Sequence, residues 1–276
     1  MGKKRSPFIL WILGLFACSM LGVPVWGMVL GSMIYALLMM LLHYRLCVLW
    51  YGYFLHAIRK KPETALKLYD FGYRRGARAG VPMLAYAMRL MEHCRYEEAL
   101  AVLREVQHRT DLNHIMRLLS RQDLALAMEK TGDVQGAIEE MEKIRQEYES
   151  LGSNFYSNLA YFYIQAGAYE KAEEINEKAG EEEKSGAYYD NLALIAYHRA
   201  DYARAEALFE KALEADGAMV SPKYYLGILA ELRGDTEAAA DWFGSAMETG
   251  VTGLSTISPQ QLEGKCAQYR NETGGN

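Results

Sequence analysis

Residues 192–212, LALIAYHRADYARAEALFEKA, decide how the rest of the chain is read. A large apolar residue stands beside a small one, Leu192-Ala193. After a polar break at Ala200-Asp201, Tyr202, Ala205, Phe209 and Ala212 follow at steps of three and four, which is one face of a helix. The residue types describe two helices in close contact. The Leu-Ala pair makes a ridge and a notch on the first helix, Ala205 lets the backbones approach on the second, and the aromatics fill the remaining gap.

The same pattern recurs outward in both directions. Ala65, Ala99, Ala137, Ala172, Ala205 and Ala239 are separated by steps of 34, 38, 35, 33 and 34 residues. Upstream of these markers stand Tyr86-Ala87, Leu124-Ala125, Leu159-Ala160 and Leu226-Gly227, and four residues downstream stand Leu103, Met141, Asn176, Phe209 and Phe243. Turn residues occur five before the marker in four units, as Gly132, Gly167, Ala200 and Gly234. A period near 34 marks stacked helix pairs, in which each unit buries its apolar face only against its neighbours.

On these residues the chain resembles the tetratricopeptide repeat (TPR) family over roughly residues 46–250, as a membrane-anchored, prokaryote-like member. Three departures carry expectations. Asn176 occupies a large-apolar position, so the third full unit is expected to pack loosely or to shift register toward Ile175. The step of 38 implies an insertion, placed in Thr110-Asp111-Leu112-Asn113, which has turn and N-cap chemistry. The first unit lacks a Leu-Ala pair and has Gly52-Tyr53, which reads as a degenerate terminal repeat.

Ahead of the repeats, Phe8 to Leu42 contains no charged side chain. As one helix it would far exceed the ~30 Å hydrocarbon core. Gly22-Val23-Pro24 supplies a break, giving a transmembrane hairpin with helices near 8–22 and 25–44. Lys3, Lys4 and Arg5 precede it, Arg45, Arg59, Lys60 and Lys61 follow it, and its turn carries no charge, so both ends are expected in the cytoplasm. The competing readings are a cleaved signal peptide, a lipoprotein box at Leu15-Phe16-Ala17-Cys18, myristoylation after Met1-Gly2, and a single anchor with exported repeats. The last is the serious rival.

The net charge of −5 hides an asymmetry, because residues 1–61 carry seven Lys or Arg and no acid. Arg59, Lys60, Lys61, Arg74, Arg75 and Arg78 are the candidate contacts for anionic headgroups. The remainder is acidic, with a run from Glu170 to Glu183 that disfavours nucleic acid as a partner. Cys18, Cys47, Cys94 and Cys266 are dispersed, and the six histidines never combine with acids or cysteines at metal-ligand spacing. No nucleophile context or phosphate-binding glycine loop occurs. The expectation is no enzyme, no catalytic residue, no metal and no cofactor.

Binding is expected on the first helices, which line the inner surface of such solenoids. The residue before the Leu-Ala pair is Asp123, Asn158 and Asn191 in three successive units. The family resemblance implies that an asparagine there hydrogen-bonds an extended peptide. Tyr161, Tyr197, His198 and Tyr224 are the aromatic neighbours, suited to supply contact area. A basic clamp for a carboxylate terminus is not evident, since Ser157, Tyr161, Ser221 and Tyr225 occupy the corresponding places. After Gly250, Ser258 and Gln261 form a capping box ahead of Leu262, Cys266 and Tyr269, so a closing helix is expected at 258–270.

The sequence therefore predicts an all-α chain. Its parts are a transmembrane hairpin (1–45), an α-solenoid of about five to six TPR-like helix pairs (46–255), and a capping helix with a flexible tail (256–276). The expected partners are an unidentified protein or peptide and the lipid bilayer, with the repeats facing the cytoplasm.

Overall fold

The computed structural model describes residues 16, 20–180 and 184–273, which separate into two compact units, residues 1–82 and 83–276. Among the described residues there are fourteen α-helices and no strand. The predicted helix near 8–22 lies almost wholly outside the described residues.

In the first unit, Gly22 turns the chain at φ +72° and Pro24 precedes α1 (Val25–Leu42), so the break falls where the sequence places it. The 18 residues of α1 have a mean hydropathy of 2.1 and none is buried. This is the one described helix long and apolar enough to cross a membrane. A single residue, His43, separates it from α2 (Tyr44–Ala57). α3 (Pro62–Arg74) then packs against α2, with Ala65 and Tyr69 fully buried. A Cβ added at Gly52 would come within 3.1 Å of the Tyr69 ring, so Gly52 is the notch that replaces the missing Leu-Ala pair. The degenerate first repeat is thus a complete helix pair.

The second unit continues the alternation. First helices are α4 (Gly80–Glu92, from Met83 onward), α6 (His114–Lys130), α8 (Ser153–Gln165), α10 (Gly186–His198) and α12 (Val220–Leu232). Second helices are α5 (Tyr96–Gln107), α7 (Val134–Glu147), α9 (Tyr169–Gly180), α11 (Tyr202–Ala215) and α13 (Thr236–Thr249). All six marker alanines have no exposed surface. The pattern repeats because each backbone approach needs a side chain no larger than a methyl group.

The turns between paired helices are more regular than the sequence suggests. Five residues before every marker the backbone is left-handed: Lys60 (φ 50°), Cys94 (58°), Gly132 (92°), Gly167 (74°), Ala200 (59°) and Gly234 (78°). Aspartates then cap three of the following helices, Asp133, Asp201 and Asp235 each accepting a backbone N–H three residues on. The 38-residue step is absorbed differently from the expectation. Asn113 does cap α6, accepting from Met116 N at 2.8 Å. The extra length, however, lies inside α6, which has 17 residues where α8, α10 and α12 have 13, so the insertion is one added helical turn.

Asn176 also corrects its expectation. It is fully buried beside fully buried Ile175, with no register shift. Its Nδ2 donates to Tyr188 O at 2.9 Å and its Oδ1 accepts from Asn191 Nδ2 at 3.0 Å, so the polar side chain is satisfied in the core.

The last helix, α14 (Pro259–Thr273), starts with the capping box: Ser258 N donates to Gln261 Oε1 at 2.9 Å and Gln261 N to Ser258 Oγ at 3.2 Å. Leu262 and Tyr269 are buried against the last repeat, and Tyr269 Oη donates to Glu231 at 2.8 Å.

Candidate functional site

Between α13 and α14 the chain does not take a short route. Residues 250–257 run back across the second unit as a strap. Gly253 N donates to Glu92 O and the Tyr96 hydroxyl donates to Gly253 O, both at 3.0 Å. Lys130 Nζ donates to Ser255 O, also at 3.0 Å. A Cβ at Gly253 would collide with the Met91 carbonyl oxygen, so this close approach requires glycine.

The strap walls a cavity of about 320 Å³ whose floor comes from four first helices. α6 gives Leu126 and Lys130, and α8 gives Ser157, Asn158, Tyr161 and Phe162. α10 gives Ala187, Asp190 and Asn191, while the start of α12 gives Val220 and Ser221. Gly250, Leu254, Ser255 and Thr256 belong to the strap. Successive first helices lie side by side, so Ser157 meets Asn191, 34 residues on, and Asp190 meets Ser221, 31 residues on.

The polar floor is tightly ordered. Asn191 is 4% exposed and both of its amide hydrogens are committed, one to Ser157 O at 2.9 Å and one to Asn176. Asp190 is equally buried and accepts one hydrogen bond, from Ser221 Oγ at 3.0 Å. Burial pushes its carboxyl up to about 7, against the smaller opposing effect of Ser221. Ser157 is 5% exposed, and its Oγ has no hydrogen-bond partner. Lys130 has its charge offset by Glu129 at 3.5 Å. Burial raises the Glu129 carboxyl in spite of that pairing.

Three of the seven residues predicted for partner binding line this cavity: Asn158, exposed, Tyr161, half-buried, and Asn191. Asn191 can offer only its carbonyl oxygen, because its donors brace the helices. Asp123 on α6 is half-buried outside the cavity, its carboxyl pushed up to about 7 by desolvation. Tyr197 and His198 lie at the end of α10, Tyr197 edge-on to Tyr225 at 5.0 Å and His198 stacked on Tyr169 at 5.5 Å. Burial lowers the His198 imidazole. Tyr224 packs on Phe243 in the last repeat. Asp190 and Lys130 are cavity residues that the sequence pattern did not single out, and Ser157 and Ser221 were noted there only as the absence of a basic clamp.

The basic residues belong to the first unit. Arg59, Lys60, Lys61, Arg74 and Arg75 are exposed, with Arg75 over the Phe71 ring at 3.7 Å. Arg78 is half-buried, stacks on Tyr73 at 4.0 Å and donates to Tyr73 O and Ala77 O, so its side chain is turned inward. Among the described residues no three His, Cys, Asp or Glu side chains form a metal-ligand group.

Fold and floor together define an all-α protein of stacked helix pairs. Residues 191–247 match the tetratricopeptide repeat family. The chain is similar to a tetratricopeptide repeat protein from Parabacteroides merdae (15% identity, 96% of this chain and 99% of that one, TM-score 0.67). It is also similar to a thermophilic TPR protein from Thermus thermophilus (17% identity, 70% and 100% coverage, TM-score 0.57). At such identities the likeness establishes the fold alone. No curated protein matches the chain.

Proposed function

We propose that the chain is a membrane-tethered helical-repeat scaffold that recruits a protein or peptide through the face built by its first helices. The observation that carries the reading is α1, an 18-residue apolar helix with no buried residue, placed one residue ahead of the first helix pair. A helix with that composition is stable where hydrocarbon covers it. With the apolar residues before Gly22 as a second span, the segment is a hairpin, and the positive residues on both sides keep the repeats in the cytoplasm. Exposed Arg59, Lys60, Lys61, Arg74 and Arg75 then sit near anionic headgroups. Asp123, Asn158, Tyr161, Asn191, Tyr197, His198 and Tyr224 are the partner-contacting candidates, and the reading assigns no catalytic chemistry.

A second reading has its own support. α1 suffices by itself as an anchor, and in this reading it is the single span, with the repeats outside the cytoplasm as an assembly or envelope factor. A topology reporter fused after Tyr269 separates the two. Activity confined to a cytoplasmic reporter supports the hairpin, and activity confined to an extracytoplasmic reporter overturns it.

A further inference from the structure

We infer that the cavity under the 250–257 strap is a recognition site for a primary ammonium group, carried by a small amine or by the N-terminus of a peptide. The inference rests on the reading of the first-helix face as a recognition surface and adds the chemistry of what enters it.

The floor is a set of acceptors with unfilled capacity. Asp190 has one hydrogen bond, from a neutral hydroxyl, and forms no ion pair among the described residues. Asn191 has spent both donors on Ser157 O and Asn176 Oδ1, which leaves its own carbonyl oxygen as the free function. Ser157 Oγ is buried in the same floor with no partner at all. A buried polar atom without a partner carries an uncompensated desolvation penalty, so an occupant that satisfies it gains that much in binding.

The required ligand group is donor-rich and positive. An alkylammonium carries three N–H donors and no acceptor, matching one carboxylate, one amide oxygen and one hydroxyl. A carboxylate or phosphate would face the Asn191 oxygen and the ionised form of Asp190, both repulsive. The nearby Lys130 does not reverse this, because its charge is balanced by Glu129 and its Nζ is bonded to the strap. Burial raises the Asp190 carboxyl to about 7, and an arriving cation would stabilise its ionised form.

The test is calorimetric titration of the full chain in detergent micelles with three probes: triglycine amide, N-acetyl-triglycine amide and propylamine. Triglycine amide is expected to bind, and its acetylated form to bind about 10- to 100-fold more weakly, the loss that follows removal of a charged hydrogen-bonding group. Propylamine binding as tightly as triglycine amide identifies a free amine as the natural class, and weaker propylamine binding identifies a chain terminus; both support the inference. Asp190→Asn preserves the acceptor for Ser221, so the variant is expected to keep its thermal midpoint at acidic pH while losing the preference for the free amine. Equal affinity for free and acetylated triglycine amide, no detectable binding of either, or an unchanged preference in a folded Asp190→Asn protein would overturn it. Partner capture by a chain that ignores all three probes would remove this inference and leave the scaffold reading standing.

Discussion

The side-chain amide of Asn191 donates to Oδ1 of Asn176 at 3.0 Å, a hydrogen bond between the first helix of one repeat and the second helix of the one before, both residues buried. Asn176 in turn donates to Tyr188 O, and Asn191 to Ser157 O, so two amides tie three helices together. Replacing Asn176 with leucine restores the apolar residue the repeat pattern favours at that position. It also strips a partner from the Asn191 amide and from the Tyr188 carbonyl. The unmet groups outweigh the added contacts, and Asn176→Leu is expected to lose about 1–3 kcal/mol in urea unfolding. A variant more stable than the native chain would show that the pattern, not the network, governs the site.

How much of this was legible in the sequence depends on the range of the signal. The marker alanines were visible because helical spacing and a 34-residue period are local patterns, and the Ser258–Gln261 box because capping is chemistry between residues three apart. Asn113 announced a cap, yet the four added residues read as loop, since one extra turn of α6 leaves no compositional trace. Cys94 and Lys60 gave no warning of left-handed turns, as neither is a residue type that favours them. Asp190 stands one residue before Asn191, and only the stacking of α10 on α12 brings Ser221 to it. The strap was least legible: Gly250 to Ile257 reads as an ordinary connection, and its return to Glu92 is decided wholly by tertiary contacts.

The six left-handed turns make a graded prediction. L-residues with a Cβ pay about 1–2 kcal/mol there, while glycine does not. Ala200→Gly and Cys94→Gly are therefore expected to raise the unfolding free energy by roughly 0.5–1 kcal/mol after the greater chain entropy of glycine is deducted. Gly132→Ala is expected to lower it by about the same amount. Thermal unfolding followed by circular dichroism measures all three, and a stabilising Gly132→Ala would refute the argument.

The strap is held at Gly253 by contact too close for any side chain. Gly253→Val drives its Cβ into the Met91 carbonyl oxygen and must release the bonds to Glu92 O and Tyr96. Limited proteolysis is expected to cut the variant within 250–257 at least about tenfold faster than the native chain, as a detached segment opens locally without global unfolding. The helical signal should be retained because α4 to α13 do not depend on those bonds for their own backbone pairing. Equal cleavage rates would mean the strap is not fastened at this point.

Asp190 sets a pH dependence of definite sign. Its carboxyl is raised from 3.8 to about 7 by burial, so the native state binds its proton more tightly than the unfolded chain does. Its contribution to stability is fully present below about 4, declines as pH rises through the interval, and is gone above about 7, with a limiting slope near 1.4 kcal/mol per pH unit. Asp123 is shifted in the same direction by the same cause and adds a parallel trend. Asp190→Asn removes one of the two without removing the acceptor for Ser221. The variant is accordingly expected to become more stable relative to the native chain as pH is raised from 5 to 8, a difference readable as diverging thermal midpoints. Parallel midpoints across that range would show that Asp190 titrates at its ordinary value, and that the floor of the cavity is wetter than its burial implies.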